Sequence, residues 1–470
     1  MIAGAFLFFY LYKGLFAENE HLCPPAKANI ISKLFYFILM NYYSLNRQSP
    51  QVSFEEATVR GQAPDKGLYF PERIPTLSHD FIKNISRHTK EEIGVMVMRP
   101  YVAGSLDDNE LQRIISETIN FDFPLVKISD SIYSLELFHG PTLAFKDVGA
   151  RFMSRCLGYF NRNKNQKTTV LVATSGDTGG AVANGFLGVE GVDVVILYPS
   201  GKVSTVQELQ LTTCGQNITA LEINGTFDDC QAMVKQAFSD GDLNNKLILT
   251  SANSINVARW LPQQLYYFFA LQQWHSNELP IISVPSGNFG NICAGILAHI
   301  SGLPVQHFIA ACNANDVVPQ FLQTGNYKPK PAVATISNAM DVGNPSNFIR
   351  ILELFQHQVP QLKERVSSFT VSDEETKQTL GEVYKRYQYT LDPHGAVAYK
   401  ALSDYLQGHD DWYGILLETA HPVKFPDVVE AVTGSPVAVP DSAAHLLKLE
   451  KKSIRMNADF NDFKEWLLNK

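Results

Sequence analysis

Between residues 136 and 434 short apolar runs alternate with Gly- or Asn-rich turns and helical stretches, and this alternation restricts the fold more than any other feature of the chain. Apolar runs of strand length, each followed by a turn and a helix, are the signature of an α/β layer with a largely parallel sheet. Residues 169–173 read as a strand, TSGDTGG as the turn that ends it, and 180–187 as the start of a helix. Residues 192–198 repeat the pattern and end in PSGK, 247–250 end in SANSIN, 280–285 in SGNFG and 413–417 in ETAHP. Capping boxes from Thr226 to Asp229 and from Ser372 to Glu375 predict helices running to Ala237 and Tyr387.

The turns fall at the carboxyl ends of expected strands, where open parallel sheets bind ligands. A helix that begins after a glycine loop offers free backbone N–H groups and the positive end of its dipole, which suits an anion such as phosphate. Taken singly, SGDTGG or PSGNFG serves equally as a tight strand-to-helix turn, since glycine meets both needs.

Upstream, His139-Gly140-Pro141-Thr142-Leu143-Ala144-Phe145-Lys146-Asp147 puts one lysine in an apolar and aromatic setting. A buried ammonium is costly, and burial lowers its pKa until a fraction is neutral amine able to condense with an aldehyde. The plain alternative is a helix-start lysine that snorkels its head to water. The glycine loops that follow favour a lysine put to chemical use.

HGPTLAFKD is followed in order by TSGDTGGAVA at 174–183, SANSINVAR at 251–259, VPSGNFGN at 284–291 and ETAHPVKF at 418–425. In content and order these stretches resemble the long-chain threonine synthases, pyridoxal-phosphate (PLP) enzymes of the tryptophan synthase β fold (fold type II). The likeness runs from Met40 to the C-terminal region. It implies an α/β fold of largely parallel sheets with flanking helices, and apolar residues at helical spacing in 53–60 and 109–119 make the unit before it a mostly helical N-terminal domain. PLP is the implied cofactor, carried by Lys146, with Gly287, Asn288, Phe289, Gly290 and Asn291 at its phosphate and the Thr419 hydroxyl at its pyridine nitrogen. The implied substrate is O-phosphohomoserine, its phosphate met by Thr174, Thr178, Lys202, Asn253, Ser254 and Arg259. The reaction so implied turns O-phospho-L-homoserine and water into L-threonine and phosphate, with Lys146 as the base at Cα and no metal. Asp177 stands where relatives of the fold often have Asn beside the phenolic oxygen, and an ionised carboxylate there needs a nearby cation. Read from the residues alone, Lys202 is a loop lysine, Arg259 a helix arginine, Thr419 a turn cap and His394 a domain-contact residue.

At 470 residues the chain exceeds what one core usually serves. The expected division is an extension at 1–39 outside the fold, an N-terminal domain at 40–130, a catalytic region at 131–434 and a helical tail at 435–470. With 39 Lys and Arg against 47 Asp and Glu, the net charge is −8 and no dense basic run occurs, which argues against a nucleic-acid partner. Apolar runs at 2–12 and 34–40 fall short of the ~20 residues a spanning helix needs, and nothing basic precedes the first as in a secretory signal. No membrane association is expected, and the first 39 residues read as a dispensable leader or over-extended start, with Met40 as the initiator. Cys23, Cys156, Cys214, Cys230, Cys293 and Cys312 are scattered without metal-ligand spacing, which argues for reduced thiols and a cytoplasmic location. A monomer or homodimer is expected. The alternatives are a lyase giving 2-oxobutyrate from phosphohomoserine, another enzyme of this fold with less need of Lys202 and Arg259, and a non-catalytic phosphate-binding α/β protein.

Overall fold

The computed structural model describes residues 39–162 and 164–470, and the expectations placed on the leader at 1–38 lie outside them. The chain opens with β1 (Asn41–Ser44), β2 (Val52–Ser53) and β3 (Tyr69–Pro71), then supplies β4 (Leu125–Lys127) and β5 (Ile132–Glu136). Next come β6 (Thr168–Ala173), β7 (Val192–Pro199), β8 (Ile218–Asn224) and β9 (Ile248–Ser251). They are followed by β10 (Ile281–Pro285), β11 (His307–Cys312), β12 (Val366–Thr370), β13 (Gly414–Glu418) and β14 (Ile454–Asn457). These form a three-stranded sheet β2-β1-β3, a six-stranded sheet β12-β11-β10-β13-β5-β4 and a five-stranded sheet β14-β8-β7-β6-β9. The five-stranded sheet is wholly parallel, and the six-stranded sheet is parallel except for β4, which runs against β5 at the edge. The expected α/β architecture of parallel sheets and flanking helices is therefore present.

The sequence of β6, TTVLVA, is buried at every position, and so is that of β10, IISVP. A strand covered by helices on both faces needs such a continuous run, because no face is left for polar alternation. In the N-terminal unit Ser53 caps helix Phe54–Arg60, and Thr89 with Glu92 forms a capping box on helix Lys90–Val102. The first, with helix Asp108–Thr118, follows the helical spacing of the sequence, and the antiparallel β1–β3 sheet is added to them. The predicted capping boxes at Thr226 and Ser372 are formed. The helix expected from residue 180 begins earlier, at Asp177, because Thr174 turns the chain inside the TSGD loop itself. The C-terminal stretch read as helical also carries β14, which pairs in parallel with β8 before helix Phe460–Asn469 packs beside it. Among the described residues no helix is long and apolar enough to cross a membrane.

Register brings the motif-bearing turns to one end of each sheet. Glu418 at the end of β13 pairs with Glu136 at the end of β5, so HGPTLAFKD and ETAHPVKF leave the sheet side by side. Strand β10, which ends in the PSGNFG turn, lies on the other side of β13. In the second sheet β6 and β9 pair in parallel, which puts TSGD beside SANSIN.

Candidate active site

Two strand exits are stitched together at the centre of the six-stranded sheet. The Phe145 N–H donates to the Thr419 carbonyl (2.9 Å), the His421 N–H donates to the Leu143 carbonyl (3.0 Å), and Ala144 bridges Ala420. Leu143 takes a left-handed φ of 59° to turn the chain, and helix Lys146–Asn161 follows. Lys146 is thereby fixed at a helix N-terminus beside the end of β13. Its side chain is 17% exposed, with Nζ 3.8 Å from Asp177 Oδ2 and 5.4 Å from the centre of the Phe145 ring. Burial pushes this amine below the usual lysine range; Asp177 draws it back up, while Lys424 and Arg259 push it down. The positive end of the helix dipole acts in the same direction as burial.

Asp177 opens helix Asp177–Phe186 at the exit of β6. The cation that an ionised carboxylate needs here is Lys424, which the sequence reading did not single out. Its side chain is 0% exposed, and its Nζ lies 2.7 Å from Asp177 Oδ1 and 2.7 Å from the Thr142 carbonyl. Gln207 Nε2 donates to the same Oδ1 at 2.9 Å. Burial on its own would raise the Asp177 carboxyl, but Lys424 and Lys146 together outweigh it and hold the group well below the usual carboxylate range.

Beyond β10 the turn Ser286-Gly287-Asn288-Phe289 leads into helix Gly290–Ile300, with Phe289 at a left-handed φ of 61°. A Cβ at Gly287 would lie 2.5 Å from Met340 Cα and 3.1 Å from the Ala339 carbonyl oxygen, so only glycine fits beneath the 337–347 loop. Asn288 Nδ2 donates to Ser254 Oγ (2.5 Å), and Asn288 Oδ1 accepts the Ser346 N–H (2.6 Å). Asn291 Nδ2 donates to the Pro285 carbonyl (2.8 Å). Both amides shape the loop; the Ser286, Ile292 and Cys293 N–H groups are already bonded, which leaves those of residues 287–291 to face an anion.

Ser254 also accepts a hydrogen bond from Asn347 Nδ2 (3.2 Å), joining the SANSIN turn to the 337–347 loop. Asn253 Nδ2 donates to the Ala173 carbonyl (3.3 Å) and ties the same turn to the end of β6. There Thr174 Oγ1 accepts the N–H groups of Gly176 (3.0 Å) and Gly179 (2.8 Å), and Thr178 lies half-buried beside it. Arg259 is buried; its Nη1 donates to the Ala252 carbonyl, and its Nε has no partner among the described residues. A Cβ on Gly149, within the first turn of the helix that Lys146 opens, would come within 3.1 Å of that Nε. Burial pushes the guanidinium down to about 10. The structure thus gathers Lys146, Thr174, Thr178, Asn253, Ser254, Arg259, the 287–291 turn and Thr419 at neighbouring strand exits. Thr419 is buried and its hydroxyl makes no hydrogen bond among the described residues. Lys202 is exposed on the turn after β7 and is not part of the buried cluster.

The comparisons with known proteins meet this geometry. Residues 124–415 match the family described as pyridoxal-phosphate dependent enzyme, residues 41–119 the threonine synthase N terminus and residues 395–467 the threonine synthase C-terminal family. Threonine synthase of Escherichia coli (strain K12) is 44% identical over 433 residues, spanning 92% of this chain and 100% of that one. The chain belongs to the threonine synthase family. Among solved structures, threonine synthase from Escherichia coli superposes with a TM-score of 0.85 at 43% identity, covering 91% of this chain and 99% of that one. PLP-bound threonine synthase from Brucella melitensis gives a TM-score of 0.85 at 33% identity over 92% and 99%.

Among the described residues, two cations with no exposed surface were not marked by the sequence reading. Lys424 stands between Val423 and Phe425, the same apolar and aromatic setting that marked Lys146, and that signal was there to be used. Arg350 is fully buried and lies 4.4 Å from the Trp260 ring. It donates to the carbonyls of Tyr69, Ser254 and Ile255 and to Asn347 Oδ1, so one guanidinium ties the N-terminal sheet to the SANSIN turn. Its sequence, FIRILEL, gives no sign of this, because one arginine in an amphipathic helix reads as solvent-facing.

Proposed function

We propose that this chain converts O-phospho-L-homoserine and water to L-threonine and phosphate by γ-elimination and β-hydration, the last step of threonine biosynthesis, with PLP as cofactor. The observation that carries this reading is the relation of Arg259 to Lys146: a buried guanidinium whose Nε is unpaired among the described residues lies against the first turn of the helix that the largely buried amine opens. Such a pair suits a small molecule that offers one end to an amine and a phosphate to a cation.

PLP carries an aldehyde, a phosphate and a ring nitrogen, and the residues present fit each of them. Lys146 is a buried amine of lowered basicity for the aldehyde. Gly287, Asn288, Phe289, Gly290 and Asn291 form a turn closed to any Cβ at Gly287, with free N–H groups at the start of a helix, for the phosphate. Thr419 offers an uncommitted hydroxyl to the ring nitrogen. When bound, PLP supplies an electron sink that acidifies the C–H bonds of an amino acid attached to it, and a neutral hydroxyl at the ring nitrogen keeps that sink weaker than a carboxylate would.

Lys146 removes the proton from substrate Cα and then, from the same position, from Cβ. Thr174, Thr178, Asn253, Ser254 and Arg259 hold the phosphate, with Lys202 joining from the exposed turn after β7. They stabilise the charge that grows on the phosphate as its bond to Cγ breaks. Water adds its OH at Cβ, and the protons taken from Cα and Cβ, with the one water leaves, go to Cα, to Cγ and to the departing phosphate to complete threonine. The net charge of −8 supports a chain that acts without nucleic acid, and the reading is completed by a cytoplasmic monomer or homodimer.

The test is NMR identification of products from purified, PLP-loaded protein and O-phosphohomoserine. Threonine and phosphate are expected. Formation of 2-oxobutyrate and ammonia in their place would make the chain a phosphohomoserine lyase, and a colourless protein that takes up no B6 vitamer would end the proposal.

A further inference from the structure

Lys424 is a positioning residue that the reaction just described does not use, and its burial is complete. Burying a second lysine so near the first is unfavourable unless it does something for the carboxylate they share. The two oxygens of Asp177 are treated differently. Oδ1 takes Lys424 Nζ at 2.7 Å and Gln207 Nε2 at 2.9 Å, whereas among the described residues the cation facing Oδ2 is Lys146, at 3.8 Å, too far for a hydrogen bond. Lys424 is held from its other side by the Thr142 carbonyl (2.7 Å), which also accepts Gln210 Nε2 (3.0 Å). The pair Lys424–Asp177 is thus closed on itself and close to neutral as a unit.

We propose that Lys424 is the standing counter-cation of Asp177, and that by satisfying this carboxylate it leaves Lys146 free to give up its proton. Without Lys424, Asp177 would be a buried carboxylate whose one near cation is Lys146, and it would hold the proton on the amine that has to lose it. The inference rests on Lys146 being the reactive amine. The charged groups facing Lys146 are Asp177, Lys424, Arg259 and Asp392, and Asp147 and His421 also face Lys424. Of these, Asp177 alone lies within ion-pair distance of both lysines.

The test compares the full-length chain with Lys424→Met, Asp177→Asn and the double variant. The readout is the pH dependence of reductive methylation at Lys146 with formaldehyde and cyanoborohydride, followed by mass spectrometry of its peptide in cofactor-free protein. Lys424→Met should move the midpoint up by about one pH unit or more, a roughly tenfold loss of labelling below the midpoint. Asp177→Asn should move it down, since Lys146 loses the carboxylate that favours its charged form, and the double variant should return toward the parent. Superimposed profiles for Lys424→Met and the parent, or shifts of the same sign for the two single variants, would overturn the proposal. If Lys424→Met does not fold, Asp177→Asn decides alone: an upward shift or none sinks the idea. Turnover retained by Lys146→Ala would instead sink the assignment of the reactive amine, an outcome distinct from an inactive Lys146→Ala alongside an unshifted methylation profile in Lys424→Met.

Discussion

His394 accepts the backbone N–H of Ala339 at Nε2 (3.2 Å), and this bond holds the 337–347 loop down over Gly287. A nitrogen that accepts carries no proton, so Nδ1 is the nitrogen that donates, to Asp392 Oδ2 at 3.0 Å. His394→Ala removes the bond that holds the loop, worth about 0.5–1.5 kcal/mol, together with the Nδ1–H that Asp392 accepts. PLP affinity should fall by about 3- to 10-fold, with kcat at saturating cofactor close to the parent value. Fluorescence titration of PLP would check it; a variant that binds PLP as the parent does while losing kcat would show that His394 acts elsewhere.

Gly287 and Gly290 should respond unequally to alanine. At Gly287 the new Cβ would meet Met340 Cα at 2.5 Å and the Ala339 oxygen at 3.1 Å, both backbone atoms that cannot swing aside. At Gly290 the nearest atom is Asn347 Nδ2 at 3.3 Å, the end of a side chain. Overpacking of the first kind costs about 1–3 kcal/mol. Gly287→Ala should therefore lose roughly tenfold or more in PLP affinity and Gly290→Ala only a small factor, measured side by side. Equal losses would mean that the loop above Gly287 moves freely.

What the sequence carried was local. Glycines at 287 and 290, the capping boxes and the fully apolar strands write their geometry into neighbouring residues, and Lys146 stood out against its immediate surroundings. What it did not carry depends on distant partners. Lys424 and Thr142 meet across 282 positions, and Arg350 reaches Tyr69 across 281, so neither pairing leaves a pattern in any window. Strand β14 has only four residues, IRMN, three of them exposed, and becomes a strand because β8 offers it an edge. Lys202 fits the family motif by position, yet its backbone follows Gly201 at φ 66° into an exposed turn, which a motif does not disclose.

Arg259→Met keeps most of the buried stem and removes the charge. Charge-assisted hydrogen bonds are worth about 1.5–3 kcal/mol, so kcat/KM for O-phosphohomoserine should fall by about 10- to 100-fold. Inorganic phosphate should lose inhibitory strength in parallel, because the same guanidinium would hold it. Steady-state kinetics with phosphate as competitor measures both. Full activity in this variant would remove Arg259 from the phosphate set.

Glu222 on β8 fastens the C-terminal tail, and its ionisation makes that fastening sensitive to acid. It lies opposite Arg455 of β14, and its carboxylate takes Lys451 Nζ (2.8 Å), Ser200 Oγ (2.7 Å) and Ser453 Oγ (3.0 Å). Burial alone would raise this carboxyl, but the lysine and the two hydroxyls outweigh it and bring it down to about 2. A carboxyl whose folded pKa is depressed stabilises the docked tail fully above its unfolded pKa of roughly 4.3 and loses that contribution as pH falls toward the folded value. Hydrogen exchange in peptides from 450–470, corrected for its intrinsic pH dependence, should therefore rise between about pH 4.5 and pH 2, ahead of exchange in β6 and β7. In Glu222→Gln the tail should exchange faster at neutral pH, and its response to acid should flatten, because no charge remains to be lost. An identical acid response in parent and variant would assign the tail's release to another group.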